Sequence, residues 1–240
     1  MTQQFYVSPE QLMKDRADFA RKGIARGRSV VVLSCSEGIA LVAENPSPSL
    51  HKIGEIYDRI AFAAVGKYNE FESLRQAGVR YADVRGYSYD REDVTARGLA
   101  SVYAQSLGAV FTADSKPFEV ELAVAEVGLR QEEDHLYRLT FDGSIADEPD
   151  FVVMGGEIDA VNETLRSNWD AGQDYAGVIR AAAGALEGHI PDNGRAPGQR
   201  RLGPEMLEVA VLDRDPMSSR GNRRAFRRLS IAEVTDILGD

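Results

Sequence analysis

Apolar residues recur along this chain with two periods that alternate in blocks. From Pro9 the spacing is helical: Leu12, Met13, Ala17, Phe19, Ala20 and Ile24 form a stripe, and Lys14, Asp15, Arg16, Asp18, Arg21 and Lys22 fill the polar side. A helix is therefore predicted over about 10–26. Ser8 is its cap, Pro9 its first residue, Gln11 the side chain that reaches back to close a capping box, and Gly23 and Gly27 its end. The runs Ser29–Cys35 and Ile39–Ala43, separated by Ser36-Glu37-Gly38, predict a hairpin whose strands are apolar enough to be buried on both faces.

A second strand pair is predicted over Lys52-Ile53 and Arg59–Val65, then a helix over Lys67–Ala82 with Phe71, Leu74 and Val79 inward. Another helix follows from Asp90, taken as its cap, through Val94, Leu99, Val102, Tyr103 and Leu107. The period returns to two at Phe118, Val120, Leu122 and Val124. Strands are predicted at His135–Phe141 and Phe151–Met154, with a turn at Asp142-Gly143. Gly155-Gly156 opens a helix carrying Val161, Leu165 and Trp169, and Tyr175–Leu186 forms the next, with Ala181–Gly184 permitting close packing. The glycine- and proline-rich segment Gly188–Gly203 reads as a mobile loop. Leu207–Leu212 and Ala225–Leu229 are strands, and Ser230–Leu238 closes with a short helix.

Strands in groups with helices in pairs between them give an α+β class rather than strict βα alternation, and two helix pairs covering a double sheet is the economical packing. No internal repeat or interior linker divides residues 10–240, which read as one domain behind an arm of residues 1–9.

Composition narrows the function. The 240 residues carry a net charge of -10, which argues against a dedicated nucleic-acid binder. The basic run Arg220–Arg228 is the local exception and reads as a solvated face or an edge-strand feature. One cysteine, Cys35, excludes an intrachain disulfide. With neither a signal-like start nor an apolar run of membrane length, a cytoplasmic protein is expected, with no membrane partner. His51, His135 and His189 lack partners at ligand spacing, so no metal is expected. On the residues alone Lys52, between the proline-broken loop "NPSPSLH" and an apolar run, is open to three readings: a catalyst, a docking charge or a solvated loop lysine.

Several stretches in this order resemble the proteasome α subunits, specifically the actinobacterial type. They include Ser8-Pro9-Glu10-Gln11, Arg21–Arg26, Val42–Ser47, Tyr57-Asp58-Arg59, Gly66–Phe71, Arg85–Arg91, Val102–Gln105, Tyr137-Arg138, Phe141-Asp142-Gly143 and Phe151–Gly156, and together they span nearly the whole chain. The resemblance implies a four-layer αββα sandwich of the N-terminal-nucleophile hydrolase type. It also implies homo-heptameric α rings stacked on β-subunit rings, with the first helix across the top of the double sheet.

Sister β subunits of that family cleave peptides with an N-terminal threonine whose own amine moves the proton. Here Ser29 stands where that threonine would be, with 28 residues ahead of it and an amide in place of the amine. Removal of Met1 would expose Thr2, but on a polar arm rather than a buried strand. The resemblance thus implies a non-catalytic subunit without cofactor. Its gate is the arm of Thr2, Gln3, Gln4, Phe5, Tyr6, Val7, Ser8 and Pro9, and its Lys52 pairs with the C-terminal carboxylate of an AAA ATPase or another ring activator. The rival from another class is a self-processing N-terminal-nucleophile peptidase or amidase using its own threonine or serine. The triplet Tyr57-Asp58-Arg59 reads as structural.

Overall fold

The computed structural model describes residues 8–156, 158–187, 202–215 and 224–239. The arm residues Met1–Val7, most of the Gly188–Gly203 loop and Arg220–Arg223 lie outside the described residues.

Helix α1 (Pro9–Ala25) begins where the cap signal put it, with the Ser8 hydroxyl accepting from the Gln11 N–H at 3.2 Å. The capping box does not close, because the Gln11 amide bonds forward to Asp15 at 2.6 Å. Gly23 lies inside the helix rather than at its end, where its missing side chain makes room for Glu119. The strands β1 (Val30–Cys35) and β2 (Gly38–Glu44) pair antiparallel, and every residue of β1 is buried, its apolar residues by their side chains and Ser34 with its hydroxyl bonded to Asp134. Next come β3 (Ile53–Tyr57), β4 (Ile60–Gly66) and α2 (Tyr68–Ser88), which continues beyond the predicted Ala82.

Asp90 is not the cap of the following helix. Its carboxylate accepts from the Glu92 N–H and starts a short 3-10 turn, and Thr95 caps α3 (Ala96–Ala113) by accepting from the Gly98 N–H at 3.2 Å. Strands β5 (Val120–Glu126), β6 (His135–Leu139), β7 (Ile145–Asp147) and β8 (Phe151–Met154) follow. Strand β7 was not predicted, since its three exposed edge residues are too few to show a period. Helices α4 (Ile158–Asn168) and α5 (Tyr175–Glu187), strands β9 (Leu207–Asp213) and β10 (Phe226–Arg228) and helix α6 (Ile231–Leu238) complete the described chain. Trp169 falls just past α4, where its indole N–H donates to the Ser34 carbonyl at 3.0 Å.

Two five-stranded antiparallel sheets result, ordered β10-β9-β2-β1-β8 and β3-β4-β5-β6-β7. The period of two sorts their side chains into layers. Val30 and Val32 of β1 face Ala61, Ala63 and Val65 of β4 and Ala123 and Ala125 of β5 in the core between the sheets. Val31, Leu33 and Cys35 point the other way, onto α4, α5 and α6. Phe62, Ala64, Leu122 and Val124 pack under α2 and α3. This is the αββα sandwich. The small side chains of β4 and β5 in the middle layer let the sheets approach, and Ala20 and Ile24 of α1 enter that same layer from one end.

The α2–α3 layer contains one exception to polar satisfaction. Tyr103 is 2% exposed and its hydroxyl has no hydrogen-bond partner among the described residues, resting where Gly78 of α2 leaves space. A buried hydroxyl without a partner is destabilising. Tyr103→Phe is therefore expected to raise stability by about 1 kcal/mol, whereas Gly78→Ala, whose methyl would overlap the hydroxyl, should lower it by about 1–3 kcal/mol. Thermal unfolding of the two variants and their combination checks both signs, with the double variant recovering part of the loss.

Candidate functional site

At the end of the sandwich where β1 begins and β2 ends, the loop 45–52 brings charged groups from both sheets together. Asn45 sits at its start and Lys52 at its close. The loop is tied internally: the Asn45 amide donates to the Leu50 carbonyl at 2.7 Å, its side-chain oxygen accepts from the Ser47 N–H at 3.1 Å, and Ser47 Oγ accepts from the Leu50 N–H at 3.1 Å. Lys52 is half-buried, and its ammonium donates to the carbonyl of Arg28 at 2.7 Å. Burial pushes the Lys52 ammonium down from its ordinary value to about 8; Glu44 and Glu208 oppose that shift and Arg28 adds to it.

Both neighbouring acids are already matched by arginines. Arg28 pairs with Glu44 at 2.8 Å, and Arg228 pairs with the buried carboxylate of Glu208. Two arginines offset two glutamates, so among these five side chains the surplus charge is the ammonium of Lys52. A compact cation of that kind, on a half-buried rim, suits a small anion such as a carboxylate.

Ser29 lies beside it but is differently committed. It is buried, its hydroxyl donates to the Gly155 carbonyl at 3.1 Å, and its own carbonyl accepts from the Glu44 N–H at 3.1 Å. Gly155 and Gly156 have φ of 73° and 56°, a left-handed pair open to glycine, and the absent side chain at Gly156 leaves space for the Ser29 hydroxyl. The Lys52 ammonium thus bonds to the peptide before Ser29, in a chain that continues back through Gly27 into α1. A nucleophile that depends on its own terminal amine has no counterpart at Ser29. Cys35, at the far end of β1, is buried and its thiol is pushed up to about 11 by burial, the opposite of an activated thiolate.

Helix α1 closes the gap between the sheets at this end. Ala20 and Ile24 are buried against the middle layer, and the Arg16 guanidinium donates to the Phe111 carbonyl at 2.5 Å and to the Asp114 carbonyl, holding α1 to the end of α3. Lys116 sits over the Phe19 ring at 5.6 Å. The predicted apolar stripe is split: Ala17, Ala20 and Ile24 face inward, but Leu12 and Phe19 remain 46% and 48% exposed. Of the arm residues, Ser8 caps α1 and Pro9 opens it, both exposed; Thr2, Gln3, Gln4, Phe5, Tyr6 and Val7 lie outside the described residues.

The described part of the basic run is fully paired. Arg224 bonds Glu55 at 2.9 Å, Arg227 bonds Glu233 at 2.9 Å, and Arg228 takes Glu208 and the Ile53 carbonyl. Tyr57 packs in the core under the Arg91 guanidinium, Asp58 pairs with Arg91, and Arg59 donates to the Val127 and Gly128 carbonyls. Sequence reasoning had not found Glu208, which appeared only as the polar beat of an alternating strand, nor the roles of Asn45 and Arg228. Among the described residues no cluster of His, Cys, Asp or Glu is arranged to hold a metal, and no helix is long and apolar enough to cross a membrane.

The proteasome subunit family model matches residues 24–195. A proteasome subunit alpha of Arthrobacter sp. (strain FB24) is 75% identical over 238 residues, covering 99% of this chain and 98% of that protein. Those of Renibacterium salmoninarum and Kineococcus radiotolerans are 74% and 64% identical, over 99% and 96% of this chain and 96% and 95% of their own lengths. The chain belongs to the proteasome subunit family.

Proposed function

We propose that this chain is the non-catalytic α subunit of a 20S proteasome core particle. It forms homo-heptameric outer rings on β-subunit rings, narrows the entrance with its N-terminal arm of residues 1–9, and docks ring-shaped activators such as an AAA ATPase through Lys52. The observation that carries the reading is the bond from the Lys52 ammonium to the Arg28 carbonyl. The lysine that would serve a terminal nucleophile in a hydrolase of this fold instead stands beside an uninterrupted peptide, its charge available to a partner. The names of the relatives support the same subunit class.

Assembly is supported by what the single chain leaves uncovered. Leu12 and Phe19 on α1 are exposed, as are Val84, Tyr87 and Tyr89 at the end of α2, with Tyr87 93% exposed. Large apolar side chains grouped on the surface suit contacts between subunits. Co-expression with a β subunit followed by particle imaging tests the reading: a stacked four-ring barrel is expected. Peptide hydrolysis by the purified chain alone, lost on changing Thr2 or Ser29, would establish the self-processing hydrolase instead.

The gate makes its own prediction. Deleting Met1–Val7 is expected to raise unstimulated peptide turnover by assembled particles several-fold, because the arm of each subunit no longer narrows the pore. Turnover equal to that of the intact particle would count against the arm as a gate.

A further inference from the structure

Glu208 has no part in the function proposed above, yet four donors converge on its carboxylate. The Asn45 amide lies at 2.7 Å, the Lys52 N–H at 2.9 Å and the Ile53 N–H at 3.3 Å, and the Arg228 guanidinium completes the set. At 8% exposure a carboxylate is costly unless its lone pairs are filled, and here they are filled almost entirely from one segment. Asn45 is the first residue of the loop and Lys52 and Ile53 are its last, so one side chain on β9 staples the loop shut. Arg228, on the neighbouring strand β10, donates to Glu208 and also to the Ile53 carbonyl at 2.8 Å, pinning the first residue of β3 from the other side.

Glu208 therefore fixes the backbone of Lys52 while Arg28 receives its ammonium. A lysine stem is flexible, and a partner that must order it on arrival loses affinity. We propose that Glu208, with Arg228 as its counter-charge, is a positioning residue that holds the 45–53 loop so that the Lys52 ammonium stands ready for a partner's chain-end carboxylate. The proposal rests on the docking reading of Lys52.

Charge and position predict opposite results for one substitution. Glu208→Gln keeps the shape, removes a negative charge and leaves the cluster more positive, so electrostatics alone would tighten binding of an anionic tail. Positioning predicts weaker binding, because the neutral amide is a poorer acceptor for these donors and places an NH2 group against N–H groups.

The probe is the C-terminal peptide of the ring ATPase used for stimulation, labelled at its N-terminus, as free acid and as C-terminal amide, titrated by fluorescence anisotropy into assembled particles. Glu208→Gln is expected to weaken the free acid about tenfold, to change binding of the amide little, and to add no further loss in a Lys52→Ala background, since coupled residues are non-additive. Free-acid binding that is unchanged or tighter overturns the proposal, as does an equal further loss in the Lys52→Ala background. If Glu208→Gln particles fail to assemble, Arg228→Leu decides by the same titration, with weaker free-acid binding expected and unchanged binding overturning the proposal. Lys52→Ala particles that bind the free acid normally would remove the docking reading and this proposal together. Loss in Lys52→Ala without loss in Glu208→Gln removes only the positioning role.

Discussion

Core particles carrying Lys52→Ala are expected to assemble and hydrolyse small peptides but to lose activator-stimulated protein degradation by at least tenfold. The ammonium is the surplus charge in a cluster whose other groups cancel in pairs, Arg28 with Glu44 and Arg228 with Glu208. Its removal takes away the attraction for a chain-end carboxylate and the donor to the exposed Arg28 carbonyl, and leaves the neighbouring charges paired. A hydrogen bond to a charged group contributes about 1.5–3 kcal/mol, and an avid ring with several tails multiplies that loss.

The same site gives a pH dependence. Lys52 is lowered to about 8, so the unliganded site is charged below that value and loses its charge as pH rises through it. A bound carboxylate favours the ammonium and raises its pKa. The free-acid tail should therefore bind with constant affinity below about pH 7.5 and lose about tenfold per unit above pH 8, until the pKa of the bound form is reached. Stimulated degradation measured alongside peptide hydrolysis, for Lys52→Ala and for intact particles from pH 7 to 9, checks both statements. Unchanged stimulation in Lys52→Ala would end the docking role.

The second large effect concerns stability at the opposite end of β1. Asp134, whose side chain is 3% exposed, accepts both terminal nitrogens of Arg214 at 2.7 and 2.9 Å, the Ser34 hydroxyl at 2.7 Å and the Gly128 N–H at 2.9 Å. Arg214 in turn donates to the Cys35 and Ser36 carbonyls, and Arg59 donates to the carbonyls of Arg214 and Gly128. Two guanidiniums thus lie close to one carboxylate, and burial followed by the Arg214 charge pushes Arg59 below its ordinary pKa. Asp134→Ala leaves the Arg214 guanidinium without its carboxylate and removes one of the acids near Arg59, and should cost about 3–5 kcal/mol. In a chain of this length that lowers the melting temperature by about 10 °C. Arg214→Met should cost less, since Asp134 keeps its Ser34 and Gly128 donors. Calorimetry of the two variants tests the ranking, and a milder Asp134 variant would refute the account.

The legible parts of the chain were those whose signal is local. Ser8 announced its helix because a cap acts within three residues, and its hydroxyl accepts from the Gln11 N–H; Ser230 caps the last helix in the same way, a role not read from the sequence. The blocks of period two gave the strands because each side chain is sorted by its own neighbours on the pleat. The misplaced start of α3 shows the limit: Asp90 and Thr95 both carry cap chemistry, and the choice was made by Glu126 on β5, whose carboxylate accepts from the Ala96 N–H at 2.7 Å. The split stripe of α1 has the same origin, because only the middle layer of the sandwich determines that Ala20 and Ile24 are inside and Phe19 is not.

The end of the sandwich that carries Lys52 divides along the same line. The sequence by itself determined that a lysine follows a proline-broken loop, that Ser29 has an amide for its nitrogen, and that helices and strands alternate in blocks able to form a double sheet. Only the tertiary structure decided what Lys52 touches, that Glu208 is buried, and that the basic run supplies its counter-charge. Glu121 and Glu208 both occupy polar beats in alternating strands, and nothing local reveals that each is buried against an arginine, Arg138 and Arg228. A buried charge is tolerable only where its partners arrive. The partners of Glu208 come from strands and a loop more than 150 positions away in one direction and from Arg228 on the next strand in the other.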